Sequence, residues 1–439
     1  MKQEMQDVLE NNILRFWLDK MVDHENGGFY GRIDGHGQLH PEAEKGAILN
    51  ARILWSFSAA YRVLSSLPTS THPAHSAHPA HLDYLTAATR AKDYFLAHFI
   101  DKEYGGVYWS LDYKGRPLDT KKQFYAIGFA IYALSEYARA TGDREALDHA
   151  VALYKSIEEH SLDPNYNGYI EACTRDWQPI ADMRLSTLDQ NYPKSQNTHL
   201  HILEPYTNLL RALQQPCPLF LQRAPSAPLS AASVSTVSAA PPPSSLCSGV
   251  AAALRNLITL FTAKILDPET SHLGLFFNMD WTPAPARLES YGHDIECSWL
   301  LHEAAQVLGD PKVLAEVEPI VQMVAQASAK GLLPDGSLIH EANLDTGYVD
   351  DDRHWWVQAE NVVGWMNIYQ HFGDTAALDK AERCWQYIKH QLVDRENGEW
   401  YWSRRPDGTV NRDDDKAGFW KCPYHNTRMC LEIIEREIS

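Results

Sequence analysis

Apolar and polar positions along the chain fall into two alternating helical patterns. In the first pattern the apolar residues keep to one face. Within 146–157, for example, Leu147, Val151, Leu153, Tyr154 and Ile157 recur at spacings of three and four. Segments of this kind cover 5–20, 83–100, 144–160, 250–265, 311–330 and 375–392. In the second pattern apolar and small residues occupy nearly every face, over 45–64, 124–140, 198–213, 293–308, 356–372 and 425–437. A helix apolar all round belongs inside a fold, and a one-faced helix belongs outside. Between the two kinds lies a turn rich in Asp, Asn and Gly, followed by short alternating stretches such as Gly106-Val-Tyr-Trp-Ser110, which predict a β-hairpin.

That turn recurs as Asp23-His-Glu-Asn-Gly-Gly, Asp101-Lys-Glu-Tyr-Gly-Gly, Asp163-Pro-Asn-Tyr-Asn-Gly, Asp267-Pro-Glu-Thr and Asp394-Arg-Glu-Asn-Gly, with a weaker copy at Gly331-Leu-Leu-Pro-Asp-Gly336. Two of the intervals are long, and each contains a low-complexity tract, one at about 70–82 and one at 214–249. Without them the period settles near the low sixties. Such a period outranks any local motif in choosing a fold. Six outer and six inner helices predict an all-α (α/α)6 barrel, with short β-hairpins in the connecting loops. The whole chain, 1–439, forms one domain. An open α-solenoid fits less well, because its units are shorter and lack the recurrent hairpin.

The inner helices are mostly apolar, yet each carries unusual polar residues in its first one or two turns. These are Asn50 and Arg52; Gln123 and Tyr125; Asn197, His199 and His201; His293, Asp294 and Glu296; Trp355, Trp356, Gln358, Glu360 and Asn361; and Trp420, Tyr424, His425, Asn426 and Arg428. In a barrel of parallel inner helices they converge on one mouth. Buried polar groups cost free energy unless paired, so a ring of them marks a binding site. Indoles suit the apolar faces of sugar rings, Arg, Asn and carboxylates suit hydroxyls, and histidine moves protons near neutral pH. The pattern points to carbohydrate chemistry. Glu296, Glu360 and Asp294 keep a two-carboxylate glycosidase open at this stage. Glu204, Glu360 and Arg428 could equally brace neighbouring helices. His293 and Glu296 stand three apart, like half a metal site, but no further ligand pair has matching spacing, so no metal is expected.

Composition narrows the classes. The 439 residues carry 39 Lys and Arg against 57 Asp and Glu, a formal charge of −18. That balance argues against nucleic acid and anionic membrane surfaces as partners. No run of 18 apolar residues occurs, so no membrane span is expected. Seven scattered cysteines without a Cys-x-x-Cys suit reduced thiols and a cytoplasmic location. A monomer or weak dimer is expected.

Several stretches together resemble the cellobiose 2-epimerases of the N-acylglucosamine 2-epimerase superfamily. They are Lys45-Gly-Ala-Ile-Leu-Asn-Ala-Arg-Ile-Leu-Trp55, Asn197-Thr-His-Leu-His-Ile-Leu-Glu204, Tyr291-Gly-His-Asp-Ile-Glu-Cys297, Trp355-Trp-Val-Gln-Ala-Glu360 and Gly418-Phe-Trp-Lys-Cys-Pro-Tyr-His425. The resemblance implies an (α/α)6 barrel that reversibly inverts C2 of the reducing-end glucose of β-1,4-linked disaccharides. Cellobiose would become glucosyl-mannose and lactose would become epilactose. It further implies His293 and His425 as bases on opposite faces of a cis-enediolate. Which of them serves which face is left open by the resemblance; His425 for the glucose epimer with His293 for the mannose epimer is the assignment favoured here. Glu296 would orient His293, and Arg52 would stabilise the developing negative charge. Asn197 and His201 would bind O1 and O2, with His201 assisting ring opening. Asp189, Trp355, Trp356, Trp420, Tyr125 and Glu360 would hold substrate. No cofactor is expected, since neither hydride nor electron leaves the sugar. The rival readings are an aldose–ketose isomerase or monosaccharide 2-epimerase on the same scaffold, an (α/α)6 glycoside hydrolase, and a non-catalytic sugar-binding barrel.

Overall fold

The two helical patterns become two concentric rings in the computed structural model, which describes residues 1–67, 80–187, 189–214 and 244–436. The one-faced segments form the outer ring: α1 (2–20), α3 (80–99), α5 (Arg144–His160), α7 (Ser244–Ile265), α9 (Pro311–Ser328) and α11 (375–392). The all-round apolar segments form the inner ring: α2 (Ala47–Ser66), α4 (Phe124–Thr141), α6 (Gln196–Gln214), α8 (Tyr291–Leu308), α10 (Trp355–Phe372) and α12 (Tyr424–Glu435). Each inner helix packs on the next, and α12 returns against α2, so the ring closes as an (α/α)6 barrel. The expected helices are all present.

Several outer helices start earlier than expected, the fourth most of all. The fourth outer helix starts at Ser244, not 250, and so takes in the end of the tract expected as an insertion. Its Ser, Leu and Cys residues read as low complexity, yet Leu246 and Cys247 pack against the core. Likewise α3 begins at Ala80, inside the first tract. The remaining parts of the two expected insertions, 68–79 and 215–243, lie outside the described residues. By length and composition 244–265 would suffice to cross a membrane. In the fold it is an outer barrel helix, with Val250, Leu254, Leu257, Phe261 and Ile265 buried on one face.

The repeated turn ties each outer helix to the next inner one. Every outer helix ends in a single antiparallel bridge across its turn: Val22↔Phe29, Ile100↔Val107, Leu162↔Tyr169, Leu266↔Leu273, Leu332↔Leu338 and Val393↔Trp400. In four repeats the leading Asp divides its carboxylate between two duties. One oxygen of Asp23, Asp101, Asp163 and Asp394 accepts backbone N–H groups inside the turn. The other accepts from Lys45, Lys122, Lys194 or Lys416, each ahead of the next inner helix, at 2.8, 2.9, 2.8 and 2.7 Å. These pairs are buried, so each charge depends on its partner.

Strands then link neighbouring repeats. Lys45 and Gly46 pair with Leu111 and Ser110, Lys122 and Gln123 with Cys173 and Ala172, Lys194 and Ser195 with Phe277 and Phe276. Residues 288–290 pair with 341–343 and 353–354 with 403–404, and Ile33 bridges to Ala417 to close the circle. The residues just before each inner helix are therefore pinned, and the first turns of all six helices face one mouth.

Candidate active site

Arg52, in the first turns of α2, is 3% exposed and has no carboxylate partner among the described residues. One terminal nitrogen donates to the Tyr125 hydroxyl at 2.9 Å, the other approaches the Cys422 sulfur at 3.8 Å, and Nε is buried without a partner. The guanidinium carbon lies 4.1 Å from the ring centre of Phe129 and 4.8 Å from that of Tyr424. Aromatic faces soften the burial of a cation but do not neutralise it. A fixed positive charge of this kind favours whatever negative charge develops beside it.

The second guanidinium is saturated. Arg428, one turn beyond His425 on α12, donates to Glu204 and to the Tyr424 hydroxyl through one nitrogen. Through the other it donates to Glu296 at 2.6 Å and Glu360 at 2.7 Å. Three carboxylates around one cation cannot all stay ionised. Burial first, then the charge of Glu360, pushes Glu296 up to about 8, and Glu360 is also raised by burial. For Glu204 burial pulls upward too, but Arg428 and the hydrogen bonds from His201 and Tyr424 outweigh it and hold it at about 2. At neutral pH one proton rests mainly on Glu296.

This network positions the imidazoles. Glu360 Oε1 lies 2.7 Å from His425 Nδ1, while its Oε2 accepts from the Trp299 indole at 3.0 Å. An ionised Glu360 places the His425 proton on Nδ1 and leaves Nε2 as the basic nitrogen. Glu204 does the same for His201 at 3.1 Å. His293 Nδ1 meets the Ser290 hydroxyl at 2.8 Å. Burial, then the charges of Arg52 and Arg428, sets His425 well below its ordinary value. Burial lowers His201 against the pull of Glu204. His293 is brought down to about 3 by burial and by the neighbouring imidazoles. All three are neutral near pH 7 and able to accept a proton. Trp356 stands between two of them, its ring 4.9 Å from His293 and 5.7 Å from His425.

The structure brings His293, His425, Arg52, His201, Tyr125 and Trp356 together. It corrects several expected roles. Glu296 does not orient His293; it faces Arg428 and, at 3.8 Å, His425, because the residue three positions before His293 rather than three after it carries the partnering hydroxyl. Glu360 is 1% exposed and does not hold substrate; it holds His425. Trp355 packs on Trp402 at 4.6 Å with Lys421 over its ring, which leaves no open face for stacking, though its buried indole N–H has no partner among the described residues. Tyr125 is buried as the partner of Arg52, its ring 4.9 Å from His201 and 6.1 Å from Trp420. Asp189 Oδ2 accepts from the backbone and hydroxyl of Ser186 at 2.8 Å, within its own loop.

Two expected groups remain free to meet a ligand. Asn197 has a buried amide oxygen without a partner. Trp420 packs against Trp109 and lines a cleft of about 240 Å³ with Arg32, Trp402, Phe419 and Asp413–Asp415. Other first-turn polar residues turn to the wall. His199 bridges Ser195 and Tyr169, Asp294 holds His272 and the Leu273 backbone, and Gln358 grips Leu338. Glu296, Glu360 and His425 offer donor atoms close enough to share a metal ion, but Arg428 already occupies the cation's place. Ser290 and Trp299 were not singled out from the residues: Trp299 reaches Glu360 across two helices, and Ser290 caps the start of the helix that carries His293.

The model of the N-acylglucosamine 2-epimerase (GlcNAc 2-epimerase) family matches residues 28–205 and 251–428. A cellobiose 2-epimerase of Bacteroides fragilis is 55% identical over 434 residues, covering 99% of this chain and 98% of that protein. One from Ruminococcus albus is 36% identical over the full length of both. The solved structure of cellobiose 2-epimerase from Bacillus thermoamylovorans is 39% identical, with a TM-score of 0.84 over 99% of each chain.

Proposed function

The chain belongs to the N-acylglucosamine 2-epimerase family and to its cellobiose 2-epimerase branch, and from that premise we propose that it reversibly inverts C2 of the reducing-end glucose of β-1,4-linked disaccharides. Cellobiose would give glucosyl-mannose and lactose would give epilactose. Inversion requires an open aldose, removal of the C2 proton and return of a proton to the other face. His425 Nε2 takes or returns the proton on one face of the cis-enediolate and His293 on the other. Arg52 stabilises the negative charge spread over O1 and O2, and Asn197 and His201 hold those oxygens, His201 also assisting ring opening. Trp356 and Trp420 offer stacking surfaces. The same carbons begin and end at one oxidation level, so no electron acceptor enters the scheme.

One observation carries this reading over hydrolysis. The buried carboxylates Glu204, Glu296 and Glu360 are spent on Arg428, whereas His201, His293 and His425 are left neutral. A glycosidase needs two carboxyl groups facing the scissile bond. Incubation with cellobiose tests it: glucosyl-mannose is the expected product. Free glucose would point to hydrolysis and a ketodisaccharide to isomerisation, and either as sole product overturns the proposal. A reducing, cytoplasmic setting is part of the proposal, and the free thiols of Cys173, Cys297, Cys384, Cys422 and Cys430, all buried, suit it.

A further inference from the structure

A second cluster stands on the rim of the barrel, behind Trp356. His340 precedes the strand 341–343, Asp350 ends the strand 348–350, and His354 directly precedes α10. Asp350 Oδ2 lies 2.8 Å from His340 Nδ1 and 3.5 Å from His354 Nε2, and the two imidazole centres are 4.5 Å apart. One donor atom from each residue falls within 4.8 Å of the other two. Nothing in the proposed epimerisation uses these groups.

We propose that His340, Asp350 and His354 bind one divalent transition cation of the zinc class. Two imidazoles and one carboxylate form a ligand set that such ions accept, with water in the fourth position. The protons now shared between Asp350 and the imidazoles point where a cation would sit, so binding displaces them. Unlike the carboxylates around Arg428, Asp350 has no lysine or arginine partner among the described residues. The side chains of His340, Asp350 and His354 are 21%, 26% and 14% exposed, open enough to admit an ion. Asp351 and Asp352 add negative charge alongside.

The ligands also come from a rigid frame. Asp350 pairs with Glu341 across a hairpin, and that hairpin pairs with 288–290. Ser290 and the active-site imidazole it contacts lie at the end of that strand. The His340 ring is 5.7 Å from Trp356. An ion here fastens the hairpin to the start of α10, immediately behind the indole that separates His293 from His425.

The test uses the full chain, stripped with a chelator and titrated with Zn²⁺ and with Co²⁺ as a spectroscopic probe. One equivalent should bind, the Co²⁺ form should show the visible bands of a nitrogen-ligated, four-coordinate ion, and Zn²⁺ should raise Tm. Asp350→Asn and His354→Gln should each weaken binding by more than the roughly 10–100-fold typical of outer ligand partners, and should abolish the Tm rise. Binding unchanged in folded Asp350→Asn and His354→Gln overturns the proposal. So does wild-type protein that takes up no ion at about 1 mM, or a Co²⁺ spectrum without nitrogen ligation. The last two readings need no variant to fold.

Discussion

Arg52 and Arg428 are both buried guanidinium ions, yet their surroundings assign them different work. Arg428 is surrounded by carboxylates; Arg52 has aromatic rings and a hydroxyl. Replacing Arg52 by lysine removes the planar fork while keeping the charge. Arg52→Lys should therefore retain less than about a tenth of kcat/KM, a loss above about 1.4 kcal/mol in transition-state stabilisation. Near-normal kcat/KM would make Arg52 a packing residue. The carboxylates make a sharper contrast. Glu296, pushed up to about 8, is already mostly protonated at neutral pH, so Glu296→Gln imitates its resting form. Glu360→Gln removes the anion that orients His425. Steady-state assays should show the Glu360 variant far more impaired in kcat than the Glu296 variant; equal losses would contradict the charge assignment.

The same group makes a statement about stability. A carboxyl raised from 4.5 to about 8 holds its proton in the fold while the unfolded chain gives it up. Its contribution is full below about pH 4.5 and falls as pH rises through that window, reaching its floor above about 8. Glu296→Gln should flatten this part of the curve, so that Tm or the denaturant midpoint declines less from pH 5 to pH 8 than in wild type. At the residue scale the sequence shows which side chains gather but not which partner each takes. His293 has a Ser three positions before it and a Glu three positions after it, and only the packed helix decides between them. Trp355 and Trp356 are neighbours of identical type, and burial under Trp402 and Lys421 separates wall from surface. Glu360 and His425 lie about one repeat apart, so their contact exists only once α10 and α12 pack together.

At the scale of elements, the Asp–Lys pair of four repeats ties the turn to the segment leading into the next inner helix. Lys45 and Asp23 are both fully buried, and breaking such a pair leaves an uncompensated charge. Lys45→Met should destabilise the fold by about 3–5 kcal/mol in denaturant titration. The double variant with Asp23→Asn should recover part of that loss. No recovery would mean the pair's contribution is packing alone. Helix positions were readable because period and apolar coverage survive averaging over a whole segment. The early start of α7 was not, because Ser, Ala and Cys carry little periodic signal until Leu246 and Cys247 are seen against the core.

For the whole molecule, the closed ring separates site from periphery. The ends flanking 67–80 and 214–244 are C-termini of inner helices and starts of outer ones, whereas the site is built at inner N-termini. A helix of about 20 residues spans roughly 30 Å, which is the distance between those ends. Deleting 217–241, a Pro-, Ser- and Ala-rich stretch of low complexity, should leave kcat/KM within about threefold. Loss of folding on that deletion would make the tract an integral element.

The proposed chemistry rests on two bases serving opposite faces of one carbon, and C2 proton exchange addresses that directly. His293→Asn and His425→Asn would each be incubated in heavy water with cellobiose and, separately, with glucosyl-mannose. Net epimerisation should be lost in both. His425→Asn should lose deuterium incorporation from cellobiose while keeping it from glucosyl-mannose, and His293→Asn should do the reverse. A variant that exchanges both epimers at near the wild-type rate would contradict the scheme, because a single mobile base would then have to reach both faces.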